Sequence, residues 1–145
     1  MMNLEEFAKA MTIAVDAAPK AINEVVKHLA DETARIAREE IGTYQESVGP
    51  FPAWASLAES TEQDKARNGY PLNSPLERTG EMRDSIKSEE FGDVVFAGSG
   101  DEKLYWHENG TPKMPPRPVM GPAAIRATEN VEAVVSKALK TVFKR

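Results

Sequence analysis

Hydrophobic positions in the first forty-odd residues recur in alternating steps of three and four: Leu4, Phe7, Ala8, Met11, Val15, Ala18, Ile22, Val25, Leu29, Thr33 and Ile36. That spacing keeps one face of a helix apolar, while Glu6, Lys9, Asp16, Lys20, Lys27, Asp31, Arg35 and Arg38 fall on the other. It predicts helix over residues 1–42, stopped by Gly42. Pro19 either kinks that helix or opens a second one. The stripe serves as this domain's own packing face, or zips onto another subunit.

Residues 43–78 lack a sustained period and predict an extended arm with short helices. Gly49-Pro50-Phe51-Pro52 cannot be regular structure, because each proline removes a donor and restricts its predecessor. Ser60 and Gln63 form a capping-box pattern for a short helix ending near Asn68-Gly69. Ser74-Pro75-Leu76-Glu77 repeats it with proline at the first helical position. Thr79 is placed to cap a helix over Gly80, Glu81 and Met82.

Over residues 79–120 the period changes to two. Ile86–Phe91 and Val94–Ala97 flank Gly92-Asp93, predicting an antiparallel hairpin with glycine first in its turn. Leu104–Glu108 is a short aromatic element containing Trp106, and Asn109-Gly110 stops it, Gly110 allowing a positive-φ turn. Five of the ten prolines then crowd between Pro112 and Pro122, a stiff extended arm. Over residues 121–145, Pro122 opens a last helix striped by Ala127, Val131, Val134, Val135, Ala138, Leu139 and Val142. The fold class expected is a single α+β domain over residues 1–145. In it, long N-terminal and C-terminal helices pack on a small antiparallel sheet, with extended proline-rich arms.

Composition narrows the function. A length of 145 residues with 41% hydrophobic and 28% charged content suits one globular domain. The net charge of −5 offers no global field to draw the chain onto nucleic acid or anionic lipid. Absence of cysteine removes disulfides, thiolate metal sites and cysteine nucleophiles. The acidic start and the lack of a long apolar run point to a cytosolic product with no membrane partner.

Candidate chemistry is sparse. His28 lies between Val25 and Leu29 as a packing or surface residue. His107-Glu108 is the only pairing from which a small metal-dependent hydrolase could be built, and no second histidine lies at ligand spacing from it. Gly98-Ser99-Gly100 lacks the lysine of a phosphate loop, and Glu89 and Glu90 face opposite ways on a strand. The expectation is no enzyme, no metal and no cofactor. The last helix carries Arg126, Lys137, Lys140, Lys144 and Arg145 against Glu129 and Glu132, which leaves a DNA-associated binding module as the alternative. Without interleaved aromatics, that charge equally serves the helix dipole.

Four segments in order carry a resemblance. They are Trp54-x-x-Leu57-x-x-x-Thr61-x-x-x-Lys65, Leu76-x-x-Thr79-Gly80-x-Met82-Arg83-x-Ser85-Ile86, Tyr105-x-x-Glu108-x-Gly110-Thr111 and Pro116-Arg117-Pro118-Val119-Met120-x-Pro122-Ala123. Together they resemble the neck or tail-component proteins of long-tailed bacteriophages, and the first half is similar to the virion-morphogenesis (tail-completion) proteins of Mu-like phages. Val119-Met120 stands where that family often has an aromatic–leucine pair, and His107 where an apolar residue is usual. The resemblance implies a structural virion subunit, assembled in the host cytoplasm, that joins the DNA-filled head to the tail. It implies a homo-oligomeric ring, sixfold, with a head connector or stopper protein on one face and a tail terminator or tail tube protein on the other. DNA passes through the lumen without specific recognition.

Interface candidates follow from those segments: Trp54, Leu57, Thr61, Lys65, Thr79, Gly80, Trp106, Gly110, Arg117 and Pro118. Trp54 gives the first arm an aromatic anchor large enough to dock on its own domain or on a neighbour. Arg117, between prolines on a stiff strut, is expected to reach a partner's carboxylate. Both arms are expected to be mobile in the free subunit and ordered in the assembly.

Overall fold

The computed structural model describes residues 2–143. Its described elements are α1 (Leu4–Glu40), α2 (Glu59–Arg67), α3 (Glu81–Asp84), β1 (Lys87–Phe91), β2 (Val94–Gly98), α4 (Glu102–Asn109), α5 (Met120–Thr128) and α6 (Val131–Phe143). The class is α+β, with six helices and one antiparallel two-stranded hairpin among the described residues.

Helix α1 begins in a capping box. The Glu6 N–H donates to Asn3 Oδ1 at 2.8 Å, and the Asn3 N–H donates to Glu6 Oε2 at 2.9 Å. Between these ends α1 is continuous through Pro19, so the proline neither starts nor ends a helix. It ends as Ile41 turns extended and Gly42 takes φ +95°, donating its N–H to the Pro75 carbonyl at 2.9 Å.

The packed face of α1 differs from the expected stripe in the N-terminal half, whereas Val25, Leu29, Thr33 and Ile36 farther along are partly buried. Leu4, Phe7, Met11, Val15 and Ile22 are exposed, whereas Ala14 is buried and Ala10, Ala17 and Ala21 are partly so. Small side chains let a neighbouring helix approach closely, and α6 packs along this line. In the second half of α1, Ala34, Ala37 and the following Ile41 enter the core with Trp54, Met82, Ile86, Leu104, Val119 and Ala123.

The hairpin forms where the alternation placed it, in the register Glu89↔Phe96 and Phe91↔Val94, with Gly92 at φ +60° in its turn. It lies on α1: Arg38 donates to the Ile86 carbonyl at 2.7 Å, and Lys27 pairs with Glu90 at 3.0 Å. Helices α5 and α6 also pack on α1, which makes α1 the hub that the sheet was expected to be.

Other local expectations shift. Ser60 lies inside α2, which starts after Ala58 without a side-chain cap. Ser74–Glu77 is a turn and not a helix: Leu76 takes φ +64°, and Ser74 Oγ donates to Glu77 Oε2 at 2.6 Å. Helix α3 has Gly80, at φ +85°, as its N-cap, while Thr79 Oγ1 only accepts from the Glu81 N–H at 3.4 Å. Tyr105 and Trp106 belong to a helix, α4, capped by the Asp101 carboxylate. The expected last helix is two, α5 and α6, parted at Glu129-Asn130, and Pro122 sits in the first turn of α5. Lys144 and Arg145, part of the basic end invoked for DNA contact, lie outside the described residues.

Candidate functional site

A cleft of about 720 Å³ opens beside the core. Leu57 enters it from the segment before α2, Thr61 and Lys65 from α2, Thr79 and Gly80 from the turn before α3, His107 from α4, and Arg117 from the proline segment. Six interface candidates thus share one cavity although up to 60 residues part them: Leu57, Thr61, Lys65, Thr79, Gly80 and Arg117.

The cations at its floor are held by backbone carbonyls. Lys65 is 2% exposed and donates from Nζ to the Ser74 carbonyl at 2.5 Å. Burial draws its pKa below the ordinary lysine value. Arg117 is also buried, which corrects the expectation of an outstretched strut. Its Nε–H donates to the Ala55 carbonyl and its Nη2 to the Ser56 carbonyl, both at 2.9 Å. The prolines beside it do stiffen the backbone, and that rigidity aims the guanidinium inward across the chain.

Trp54, expected as a docking anchor, is a core residue here. Its Nε1–H donates to the carbonyl of fully buried Pro118 at 2.9 Å, tying the first arm to the second. Ser74 and Pro75 are buried as well, so both proline-rich segments are folded onto the domain. Gly110, at φ +73°, closes the turn before Arg117; a Cβ there would lie 2.9 Å from the Pro116 nitrogen. Trp106 is on the outer side of α4, half exposed, and does not line the cleft.

His107 lines the cleft from α4 and is half-buried. Burial, and then the positive charge of Arg117, push its pKa below the ordinary histidine value. Its Nδ1 is buried without a partner, and its carbonyl accepts the Arg117 N–H at 2.7 Å. Around the rim, Arg78 pairs with Asp64 at 2.8 Å and Lys103 lies 3.8 Å from Asp101, so Lys113 is the rim cation without an acidic partner among the described residues. Glu77 is occupied by Ser74 and by Arg83, at 3.1 Å from the latter. Among the described residues no three His, Asp or Glu side chains stand close enough to hold a metal ion. What the arrangement offers an acidic or carbonyl-rich segment is Lys113 and the charge of Lys65 and Arg117, which are bonded to neutral carbonyls.

Two organising residues escaped the sequence reading of roles. Glu108, the neighbour of His107, accepts from three successive backbone N–H groups: Val119 at 2.6 Å, Met120 at 2.9 Å and Gly121 at 2.8 Å. It thereby caps α5 from α4, and Pro122 at the next position has no N–H to satisfy. Glu40, at the end of α1, pairs with Arg126 of α5, which also donates to Gln45 Oε1 at 3.0 Å. Burial pushes the Glu40 carboxyl up to about 7 against the pull of Arg126. No sequence signal pointed to Glu108, because the last helix was expected to open at Pro122, whereas α5 starts at Met120.

Comparison with protein-family models, curated proteins and solved structures finds no match to this chain.

Proposed function

We propose that the protein is a structural virion subunit of a phage neck, built to fit between neighbours and catalysing no reaction. What supports this reading is one observation: residues from three of the four resembling segments line a single cleft, and Glu108 of the remaining segment holds the start of α5 beside Arg117 and Pro118 in sequence. A shared cavity gives three of the segments a common reason to occur together. In this reading subunits close into a sixfold ring through head-to-tail contacts, with a neighbour's acidic segment entering the cleft. A head connector or stopper protein covers one face and a tail terminator or tail tube protein the other, and DNA threads the lumen without being read. Trp54, Pro118 and Gly110 act from behind, by fixing the cleft's walls, while Lys65 and Arg117 set its charge.

The test is deletion of the gene from the phage that encodes it. Filled heads and finished tails should accumulate unjoined, and supplying the protein should restore joining. Normal numbers of joined virions in electron micrographs would refute the reading.

A further inference from the structure

The exposed stripe of α1 is one half of a larger apolar face. On α1, at about 100° of rotation per residue, Leu4, Phe7, Met11 and Val15 lie about 100° clockwise of the alanine line that packs on α6. Val134, Ala138 and Val142 turn α6 toward α1, and Val135, Leu139 and Phe143, all exposed, lie about 100° clockwise of that line. Arg126 fastens α5 to the C-terminal end of α1, and buried Ala14 and Val142 mark where α6 reaches the N-terminal half. Helix α6 therefore runs antiparallel to α1. With antiparallel axes, equal clockwise offsets put both exposed rows on the same side.

These seven side chains are 38–84% exposed, and Ile22 continues the row. At roughly 200 Å² per large apolar side chain, the face presents on the order of 800 Å², beyond the patches of a few hundred Å² ordinary on monomers. The area is what each partner contributes to an interface of standard size. Charge is kept off it: Lys9, Asp16 and Lys20 of α1, and Lys137 and Lys140 of α6, project from other sides, with Glu132 alone near the exposed row. The polar side of α1 mixes Glu5, Glu6, Asp16 and Glu24 with Lys9 and Lys20, which does not suit an anionic bilayer.

We infer that this two-helix face is an interface between two copies of the chain, each covering the other's Leu4–Val15 and Val135–Phe143 rows in a two-fold, four-helix arrangement. An uncharged apolar face is self-complementary, and three–four spacing on both helices lets side chains of one pair interleave with the other. The pairing does not rest on the neck reading, since a two-fold contact needs no ring.

Sedimentation equilibrium of the full chain tests it. The wild type should approach twice the 15.9 kDa chain mass at micromolar concentration. Phe7→Lys and Leu139→Glu should each weaken association at least a hundredfold. Because both side chains are exposed in the monomer, helical circular dichroism and melting temperature, extrapolated to low concentration, should hold. Lys9→Glu, off the face, should leave association unchanged and controls for net charge. A wild type monomeric at 100 μM overturns the inference. So does an oligomer indifferent to both face variants, or one weakened equally by Lys9→Glu. Binding to phosphatidylcholine or phosphatidylserine vesicles in place of self-association would assign the face to lipid and overturn it too.

Discussion

Removing the Glu108 carboxylate should destabilise the whole domain. A helix's first turn leaves backbone N–H groups with no partner inside the helix, and a buried orphan donor costs about 1–3 kcal/mol. Here Val119 is fully buried, Met120 and Gly121 are partly so, and one side chain answers all three N–H groups. An ordinary cap is worth about 1 kcal/mol, and a carboxylate at a partly buried helix start adds up to about 2 kcal/mol from the dipole. Because the three bonds share one group they do not simply add, so Glu108→Ala should cost about 3–5 kcal/mol. Glu108→Gln keeps one acceptor oxygen but turns an NH₂ toward a donor, and should cost about 2–3 kcal/mol. With a urea slope of about 1.5–2 kcal/mol/M, the alanine variant's midpoint should fall by about 2 M. Urea unfolding followed by circular dichroism reads this directly. Midpoints within 0.3 M of wild type for both variants would show that the three bonds carry no net weight.

Trp54→Ala should cost about 3–5 kcal/mol as an ordinary large-to-small core change, and Trp54→Phe about 1–3 kcal/mol through the unanswered Pro118 carbonyl. Thermal melting of the two variants checks this, and an alanine variant that melts like wild type would return Trp54 to the role of docking anchor. For Glu40 the folded pKa lies above the ordinary carboxylate value, so the folded state holds the extra proton between about 4.5 and about 7. Its contribution to stability therefore falls as pH rises through that window. Relative to Glu40→Gln, the wild type should gain on the order of 2–3 kcal/mol as pH drops across it, and parallel stability–pH curves would contradict this.

The parts of the fold legible in sequence are those decided within a few residues. Alternation on either side of Gly92-Asp93 located the hairpin because strand pairing there spans a two-residue turn. Three–four spacing located α1 and placed Val25, Leu29 and Ile36 on its partly buried side, but it missed the packed face of the N-terminal half. Hydrophobicity favours Leu4, Phe7 and Met11, whereas close helix approach favours Ala10, Ala14 and Ala17. Ser74 and Glu77 do form the bond that a capping pattern promises. Ser74 is also committed to the Gly42 carbonyl, and a left-handed Leu76 closes a turn where a helix was expected. The candidate site was legible as a set of residues but not in their roles. Trp54 and Arg117 find partners more than 60 residues away, and no local pattern encodes whether a large side chain turns inward or outward.

Pro19 gives α1 a weak point within one continuous helix. Without an N–H at that position the Val15 carbonyl loses its helical donor, so the turn at Pro19 carries one backbone bond fewer than its neighbours. Beyond it, the N-terminal half is held to α6 by alanines, which remove little apolar area from water. The second half is locked by Ile41, Trp54 and the Glu40–Arg126 pair. The outer two-helix piece can therefore melt and re-form while the core stays intact, and its amides should exchange with deuterium together and sooner than those of residues 30–41. In shape α1 is one helix, and in cooperativity it is two.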